Sequence, residues 1–354
     1  MFIVQRLYMK DFIKILLLIS IGLSVIFSLL DLINKMDDFM PGRPSAATLV
    51  LYTFFNLPKF FIYLLPMSVL ICSLFTFSQA FRRGEITAIK TAGGRLRKLY
   101  LPFVITGFLL SILAFIAGEI VVPDFSKRTA DIRNTLENKK RSSSFSDDAL
   151  WLKSKDGSPV KIDLYIVEKK LAKGIEIFIF GKDFLKEKIT AEKASWNGNT
   201  WTLENITRYE IETGRIDKIK TMDYSGLESP DIFAEDIKKP DEMGINELYR
   251  YIQRLKNAGF NNLKLIVDLN SKISFPVINI FMMLIGISLS SGRRLGGGLF
   301  SAGLGLLISL VYWFGYTFML SLGYSGIIHP VISAWIIPLI FGALAVRFFM
   351  KIPE

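Results

Sequence analysis

The chain has 354 residues, of which 51% are hydrophobic and 21% charged, a balance too apolar for a soluble two-domain protein and still rich in charge. It predicts membrane spans joined to a water-exposed module. One cysteine, Cys72, and one histidine, His329, exclude a disulfide framework, a Cys/His zinc centre and a Cys–His nucleophile pair within one chain.

The formal net charge of +11 has meaning only where it is located. Residues 123–270 carry 26 Lys+Arg against 25 Asp+Glu, so the excess belongs to the apolar remainder. A nucleic-acid-binding module would concentrate basic charge in its soluble part, and this chain does not.

In chain order, uncharged or nearly uncharged stretches predict spans at 12–33, 60–81, 99–122, 272–291, 299–322 and 330–350, since a bilayer core of about 30 Å needs roughly 20 apolar residues per helix. The first has basic residues before it, as a signal peptide does. It lacks a small-residue cleavage site and further spans follow, so it is expected to stay as a span. Arg6, Lys10, Lys14, Arg82, Arg83, Lys90, Arg95, Arg97, Lys98, Arg293, Arg294, Arg347 and Lys351 all fall on one side, opposed by Asp11, Glu85 and Glu354. The positive-inside rule makes that side cytoplasmic, with both termini inside and 123–270 outside.

Three features of the first half carry two readings each. The loop 81–98 is either a positive-inside anchor or a short helix docking a cytoplasmic protein, with Arg83 and Glu85 as its charges and Ile86 and Ile89 at helical spacing. Lys35, Lys59, Lys127, Arg128 and Arg133 near the outer ends of the first three spans are either snorkelling anchors or a basic rim suited to an anionic lipid headgroup. Glu119, in Gly118-Glu-Ile-Val-Val-Pro123, is either a functional acid at the outer interface or a hydrated one.

Within 123–270, Ile162, Leu164 and Ile166, then Ile175, Ile177 and Ile179, then Trp201 and Leu203 alternate with polar neighbours, the period of half-buried strands. Turn signals at Asp156-Gly157, Asn197-Gly198 and Thr213-Gly214 are spaced for short antiparallel strands of a sandwich or open jelly roll. Leu248, Ile252 and Leu255 predict a helix that Gly259 would stop, and a second helical stretch from Asn262 is expected to run into the fourth span. The run from Gly174 to Gly181-Lys182-Asp183 has the wrong spacing and an Asp where a phosphate loop needs Ser or Thr, so nucleotide hydrolysis is expected only in a partner. In the fifth span, Gly298, Ala302, Gly303 and Gly305 permit close helix approach, and Tyr312, Trp313, Phe314, Tyr316 and Phe318 suit acyl chains.

The fold class read from this is a six-span α-helical membrane protein with an inserted all-β extracytoplasmic, jelly-roll-like domain. Its boundaries are 1–122, 123–270 and 271–354, with a cytoplasmic helix at about 81–98.

This order of parts resembles the lipopolysaccharide export permease family, LptF/LptG. The likeness rests on Arg83-Gly-Glu-Ile-Thr-Ala-Ile-Lys-Thr-Ala-Gly-Gly94, Gly118-Glu-Ile-Val-Val-Pro123, Leu57-Pro-Lys59 leading to Leu65-Pro-Met67, Leu150-Trp-Leu-Lys-Ser-Lys-Asp-Gly157, Leu248-Tyr-Arg-Tyr-Ile-Gln-Arg-Leu-Lys256, Ser271-Lys-Ile273 and Met282-Met283, and is closer to the LptG branch. It implies a multi-pass subunit of an ABC transporter in a Gram-negative inner membrane. Such a subunit pairs with an LptF-like permease, binds an LptB-like ATPase dimer that uses ATP and Mg, and passes lipopolysaccharide to a periplasmic bridge of LptC-like and LptA-like proteins.

The same resemblance implies no cofactor bound by this chain and no catalytic residue. It assigns Glu85, with Arg83, Ile86 and Ile89, to ATPase coupling, and Lys35, Lys59, Arg128 and Arg133 to lipid headgroups. Phe27 and Leu30 of the first span, with Tyr312 and Tyr316 of the fifth, would line a lateral gate or cavity. An ABC-linked mechanotransmission protein without a lipid cavity is the alternative, though four spans would suit it better than six. A lipid-modifying membrane enzyme fits poorly, because it would want a His, Cys or carboxylate cluster near the bilayer surface.

Overall fold

The computed structural model describes residues 2–136, 143–146, 149–154, 157–166, 169–180, 184–211, 213–227, 230, 239–257, 261–292 and 298–352. Lys155, Asp156, Gly181 to Asp183, Gly259, Arg293, Arg294 and Glu354, all used above, lie outside the described residues. Two compact units form: Met1–Glu137 with Pro240–Ile252 and Asn262–Glu354, and Asn138–Lys239 with Gln253–Asn261.

The first unit is built on six long helices: α1 (Phe2–Asn34), α3 (Ala46–Arg82), α5 (Leu96–Leu136), α7 (Leu263–Gly292), α8 (Gly298–Tyr324) and α9 (Pro330–Met350). Each expected span lies inside one of them, and all six are long and apolar enough to cross a membrane. Shorter pieces are α2 (Met36–Phe39), a 3-10 turn at Met40–Gly42, α4 (Glu85–Thr91), a 3-10 turn at Pro240–Glu242 and α6 (Ile245–Asn257). The fourth span is continuous from Leu263, and the Asn262 side chain accepts from Leu265 N at 3.3 Å at its start.

The helix α5 departs from the expected boundary at 123, running through Pro123 to Leu136. A proline deletes one intrahelical hydrogen bond, which a long helix in an apolar bundle tolerates when another donor or water serves the freed carbonyl. Pro102 shows this directly. Its missing N–H would have served the Lys98 carbonyl, and the Gln5 side chain from α1 donates to that carbonyl instead at 2.7 Å.

The helix α3 packs against α1, α5, α7 and α8, while α7 also meets α9. Accordingly 56% and 61% of the most apolar stretches of α3 and α7 are buried, against 22% for both α1 and α8. The third and sixth spans, at 28%, are nearly as open, so four of the six spans leave most of their apolar surface without cover from this chain. Gly286 makes the α3–α7 contact close, since a Cβ there would stand 1.8 Å from Ser73 Oγ and 2.8 Å from Ser73 Cβ. Of the small residues expected to matter in the fifth span, Gly298 and Gly305 face α3 whereas Gly303 faces open space.

Many hydroxyls in this apolar setting bond within their own helix or to a neighbouring one. Ser20 donates to Leu16 O at 2.6 Å and Ser73 to Val69 O at 2.8 Å, and between helices Ser301 donates to Ser78 at 2.8 Å and Ser291 to Tyr100 at 2.7 Å. Cys72 is buried and its thiol donates to Phe12 O at 3.1 Å.

The second unit is one antiparallel sheet of β1 (Ser143–Ser146), β2 (Ala149–Lys153), β3 (Pro159–Ile166), β4 (Leu171–Phe180), β5 (Leu185–Trp196), β6 (Trp201–Glu210) and β7 (Arg215–Tyr224). Strand order follows chain order, so the described strands form a meander joined by hairpins, without the crossovers of a strict jelly roll. The period-two residues behave as expected: Ile162, Ile175, Ile177, Trp201 and Leu203 are buried in one apolar cluster. Register is set by pairs such as Ile162 with Ile175 and Ala194 with Leu203. At Asn197-Gly198 the Asn197 side chain accepts from Thr200 N at 2.9 Å and Gly198 takes φ +106°, the chemistry of a tight hairpin. Gly174, from the rejected phosphate-loop run, sits inside β4.

Candidate functional site

Between α1, α3, α7 and α8 lies a cavity of 440 Å³ lined by Phe27, Phe60, Tyr63, Leu64, Met67, Phe275, Met282, Ser309, Leu310, Tyr312 and Trp313, with Lys59 as its one charged side chain. Of the four residues expected to form a gate, the structure brings Phe27 and Tyr312 to this cavity. Leu30 lies one turn from Phe27 and is 47% exposed, and Tyr316 stacks on Tyr312 at 5.7 Å and shares a 3.2 Å hydrogen bond with Ser274. The Ser309 and Tyr312 hydroxyls are buried with no hydrogen-bond partner. An apolar wall carrying two unused hydroxyls and a cation is chemically suited to an amphiphile. Tyr312→Phe is accordingly expected to leave thermal stability of the lipid-free protein within about 0.5 kcal/mol of wild type, because the lost hydroxyl had no partner to strand; a marked fall in a melting experiment would contradict this.

Around Lys59 the structure assembles charges from four segments. Lys59 Nζ donates to Asp241 Oδ2 at 2.5 Å, in the turn Pro240–Glu242. From α7, Lys272 Nζ donates to Met243 O at 2.9 Å, and Asp268 accepts from Tyr324 Oη at 2.6 Å. From α5, both Glu119 oxygens accept from Ile245 N, at 2.8 and 2.7 Å. Glu119 thereby serves one of the unsatisfied donors at the start of α6, a capping role supplied from another helix.

Burial pushes the Asp241 carboxyl up, but the Lys59 charge and hydrogen bond, with the Lys272 charge, hold it below its ordinary value of 3.8. A carboxyl depressed in the folded state adds stability that is present above its ordinary value and disappears as pH falls through the depressed one. The tie of Asp241 to Lys59 is thus expected to hold at neutral pH and to weaken only in acid below about pH 4.

The other expected basic residues do not share this site. Lys35 pairs with Asp31 at 2.9 Å and donates to Tyr52 Oη at 2.8 Å, while Tyr52 donates to the same carboxylate at 2.8 Å. Arg133 lies within electrostatic range of Tyr52, so these two cations form a second cluster over Phe39, Tyr52 and Leu136. Arg128 stands over the Phe55 ring at 5.5 Å, a cation–π contact. A continuous basic rim is replaced by three separate stations.

At the other end of the bundle, α4 is a seven-residue helix opened by Gly84 in the left-handed region, φ +76°, a conformation glycine adopts without strain. Glu85 accepts a hydrogen bond from Tyr8 of α1, and Arg83 Nη1 lies 4.0 Å from it. Ile86 is 1% exposed inside the chain's own core and Ile89 packs against that core. Ile86 thus anchors α4 to the chain's own core, Glu85 and Ile89 are half-buried, and Thr87, Ala88, Lys90 and Thr91 are exposed.

Asp241, Asp268, Lys272 and Tyr324 were missed from sequence. Lys272 carried a usable signal, a lone base heading the uncharged run 273–292. Asp241 had none, lying in a polar segment far from Lys59 along the chain.

Six helices long and apolar enough to span a membrane, four of them lining an apolar cavity, with a β-sheet unit inserted after the third, define a multi-pass membrane protein. The family model for the lipopolysaccharide export system permease LptF/LptG matches residues 6–351. The chain belongs to that family, and is a permease-type transport subunit of the inner membrane. Among its relatives are the lipopolysaccharide export system permease proteins LptG of Escherichia coli (strain K12), 24% identical over 335 residues, and of Haemophilus influenzae, 24% identical over 336 residues; each alignment covers 93% of this chain and 89% of the relative.

Proposed function

We propose that this chain is the LptG-type subunit of an ABC transporter that extracts lipopolysaccharide from the outer leaflet of the inner membrane. The observation that carries this reading is the apolar cavity with a single cation, Lys59, at its edge, matched to a family that exports a phosphorylated, multiply acylated lipid. Each buried CH₂ of such a lipid is worth about 0.8 kcal/mol to the bilayer, so extraction needs an apolar receptacle and an external source of work. At 440 Å³ the cavity has the size of a small-molecule site, too little for a lipid with several acyl chains. A second, LptF-like permease is therefore expected to supply the facing wall, meeting the sparsely covered α1 and α8 as a lateral gate.

Work enters through α4. Glu85, braced by Tyr8, presents a carboxylate at the N-terminus of a short helix on the basic, cytoplasmic side, where an LptB-like ATPase dimer using ATP and Mg would hold it through a cation. With both termini on that side, the sheet unit is periplasmic, and its edge strands suit β-augmentation by LptC-like and LptA-like partners. Lys35, Arg128 and Arg133 then contact headgroups outside the cavity.

The test is purification of the tagged protein from its native membrane in mild detergent, with mass spectrometry of proteins and lipid. Recovery of an ATPase, a second six-span subunit and lipopolysaccharide is expected; the chain alone with ordinary phospholipid, even after crosslinking, would refute the reading. Glu85→Ala is expected to weaken ATPase recovery about tenfold, the loss of one charge-assisted contact of roughly 1.5 kcal/mol. Unchanged recovery would remove Glu85 from the coupling.

A further inference from the structure

At the edge of the cavity Lys59 is not free. Its ammonium is in a 2.5 Å ion pair with Asp241, and Tyr63, which lines the cavity, reaches the other carboxylate oxygen at 3.5 Å. Asp241 belongs to a segment fastened to three different helices by three charged side chains: Lys59 of α3 holds residue 241, Lys272 of α7 holds the carbonyl of residue 243, and Glu119 of α5 holds the N–H of residue 245. Only the first of these fastenings uses a group that faces the cavity.

We propose that Asp241 is the resident counter-ion of Lys59, a built-in competitor that a lipid phosphate must displace before it can bind at the cavity mouth. This rests on the reading of Lys59 as a headgroup lysine. A carboxylate and a phosphate are alike as acceptors for an ammonium, so the exchange trades one charge-assisted hydrogen bond for another. The displaced carboxylate is not stranded. The Lys272 charge already acts on Asp241, and with 40% of its side chain exposed Asp241 also has water at hand.

Two consequences follow from competition. Affinity for every phosphate-bearing lipid falls by a common factor, which empties the mouth of lipids that bind weakly and leaves it open to those that bind strongly. A phosphate monoester, with a charge near −1.5 to −2 at neutral pH, displaces the carboxylate more readily than the phosphodiester of a bulk phospholipid, which carries a single negative charge. Arrival of such a ligand also unfastens residue 241 while residues 243 and 245 stay tied, so lipid entry is felt at the start of α6.

The test measures binding of three probes to the full chain with its native partners: lipid A with both phosphates, lipid A stripped of phosphate, and inorganic phosphate. Asp241→Asn is expected to tighten binding of phosphorylated lipid A about three- to tenfold, the worth of one removed competing hydrogen bond. The gain is expected to vanish for the dephosphorylated lipid and in a Lys59→Ala background. Lipid-free thermal stability is expected to move the opposite way, downward, because the ion pair is lost.

Unchanged or weaker lipid A binding in Asp241→Asn would overturn the proposal, as would a fall in both stability and binding, which marks a purely structural tie. Equal displacement by millimolar inorganic phosphate would overturn the assignment to a lipid. If Lys59→Ala alone leaves lipid A binding intact, the headgroup reading of Lys59 fails first, and that outcome is distinct from a failure of Asp241→Asn in a protein whose Lys59 does matter.

Discussion

Lys59→Glu is expected to abolish lipopolysaccharide retention by the purified complex, with a loss of at least about a hundredfold. The substitution removes the single cation of the cavity and puts a carboxylate where a lipid phosphate would come, so an attraction becomes a repulsion. It also sets two carboxylates face to face where the ion pair with Asp241 stood. Because that pair is about a third exposed, its own contribution to stability is modest, and folding is expected to survive. Retention measured by mass spectrometry beside a melting curve separates the two effects. Normal retention in Lys59→Glu would remove this residue from lipid recognition altogether.

Gly286→Leu is expected to prevent assembly, and Gly286→Ala to cost about 1–3 kcal/mol. The reason is positional: the added Cβ would lie 2.8 Å from the Ser73 Cβ, which cannot rotate away as the Ser73 hydroxyl can. Helix α7 would have to withdraw from α3, the helix on which four others pack. Ser73→Gly should restore most of the loss in the Gly286→Ala background, since it removes the opposing atoms. A melting temperature that is unchanged in Gly286→Ala, or not rescued in the double variant, would show that the two helices are not in this close contact.

The long elements were legible because their signals are local. Six apolar runs and three alternating stretches each report on a single helix or strand, and residues such as Ile162, Trp201 and Leu248 went where their period placed them. What sequence hid is relational. Lys59 and Asp241 meet only because α3 and the turn at 240 are brought together, and no pattern near either residue announces it. The α4 isoleucines show the same limit: Ile86 and Ile89 have helical spacing, yet periodicity cannot distinguish a face buried in a partner from one packed, as Ile86 is, in the chain itself. The boundary at 123 fell short for a different reason: an apolar run marks where the bilayer ends and not where the helix does, and α5 continues past Pro123 into polar sequence. Strand order was beyond reach of alternation, which fixes the face of each residue and not its neighbour across the sheet.

The continuous helix α5 has a mechanical meaning. At a rise of 1.5 Å per residue its 41 residues make a rod roughly 60 Å long, about twice the hydrocarbon thickness. It holds two prolines, and each stands four residues after a point of attachment: Lys98, whose carbonyl takes a hydrogen bond from Gln5 of α1, and Glu119, whose carboxylate grips the first residue of α6. One unbroken helix therefore joins the contact with α1 near its start to the grip on α6 near its middle, so neither attachment can shift along the helix axis without the other.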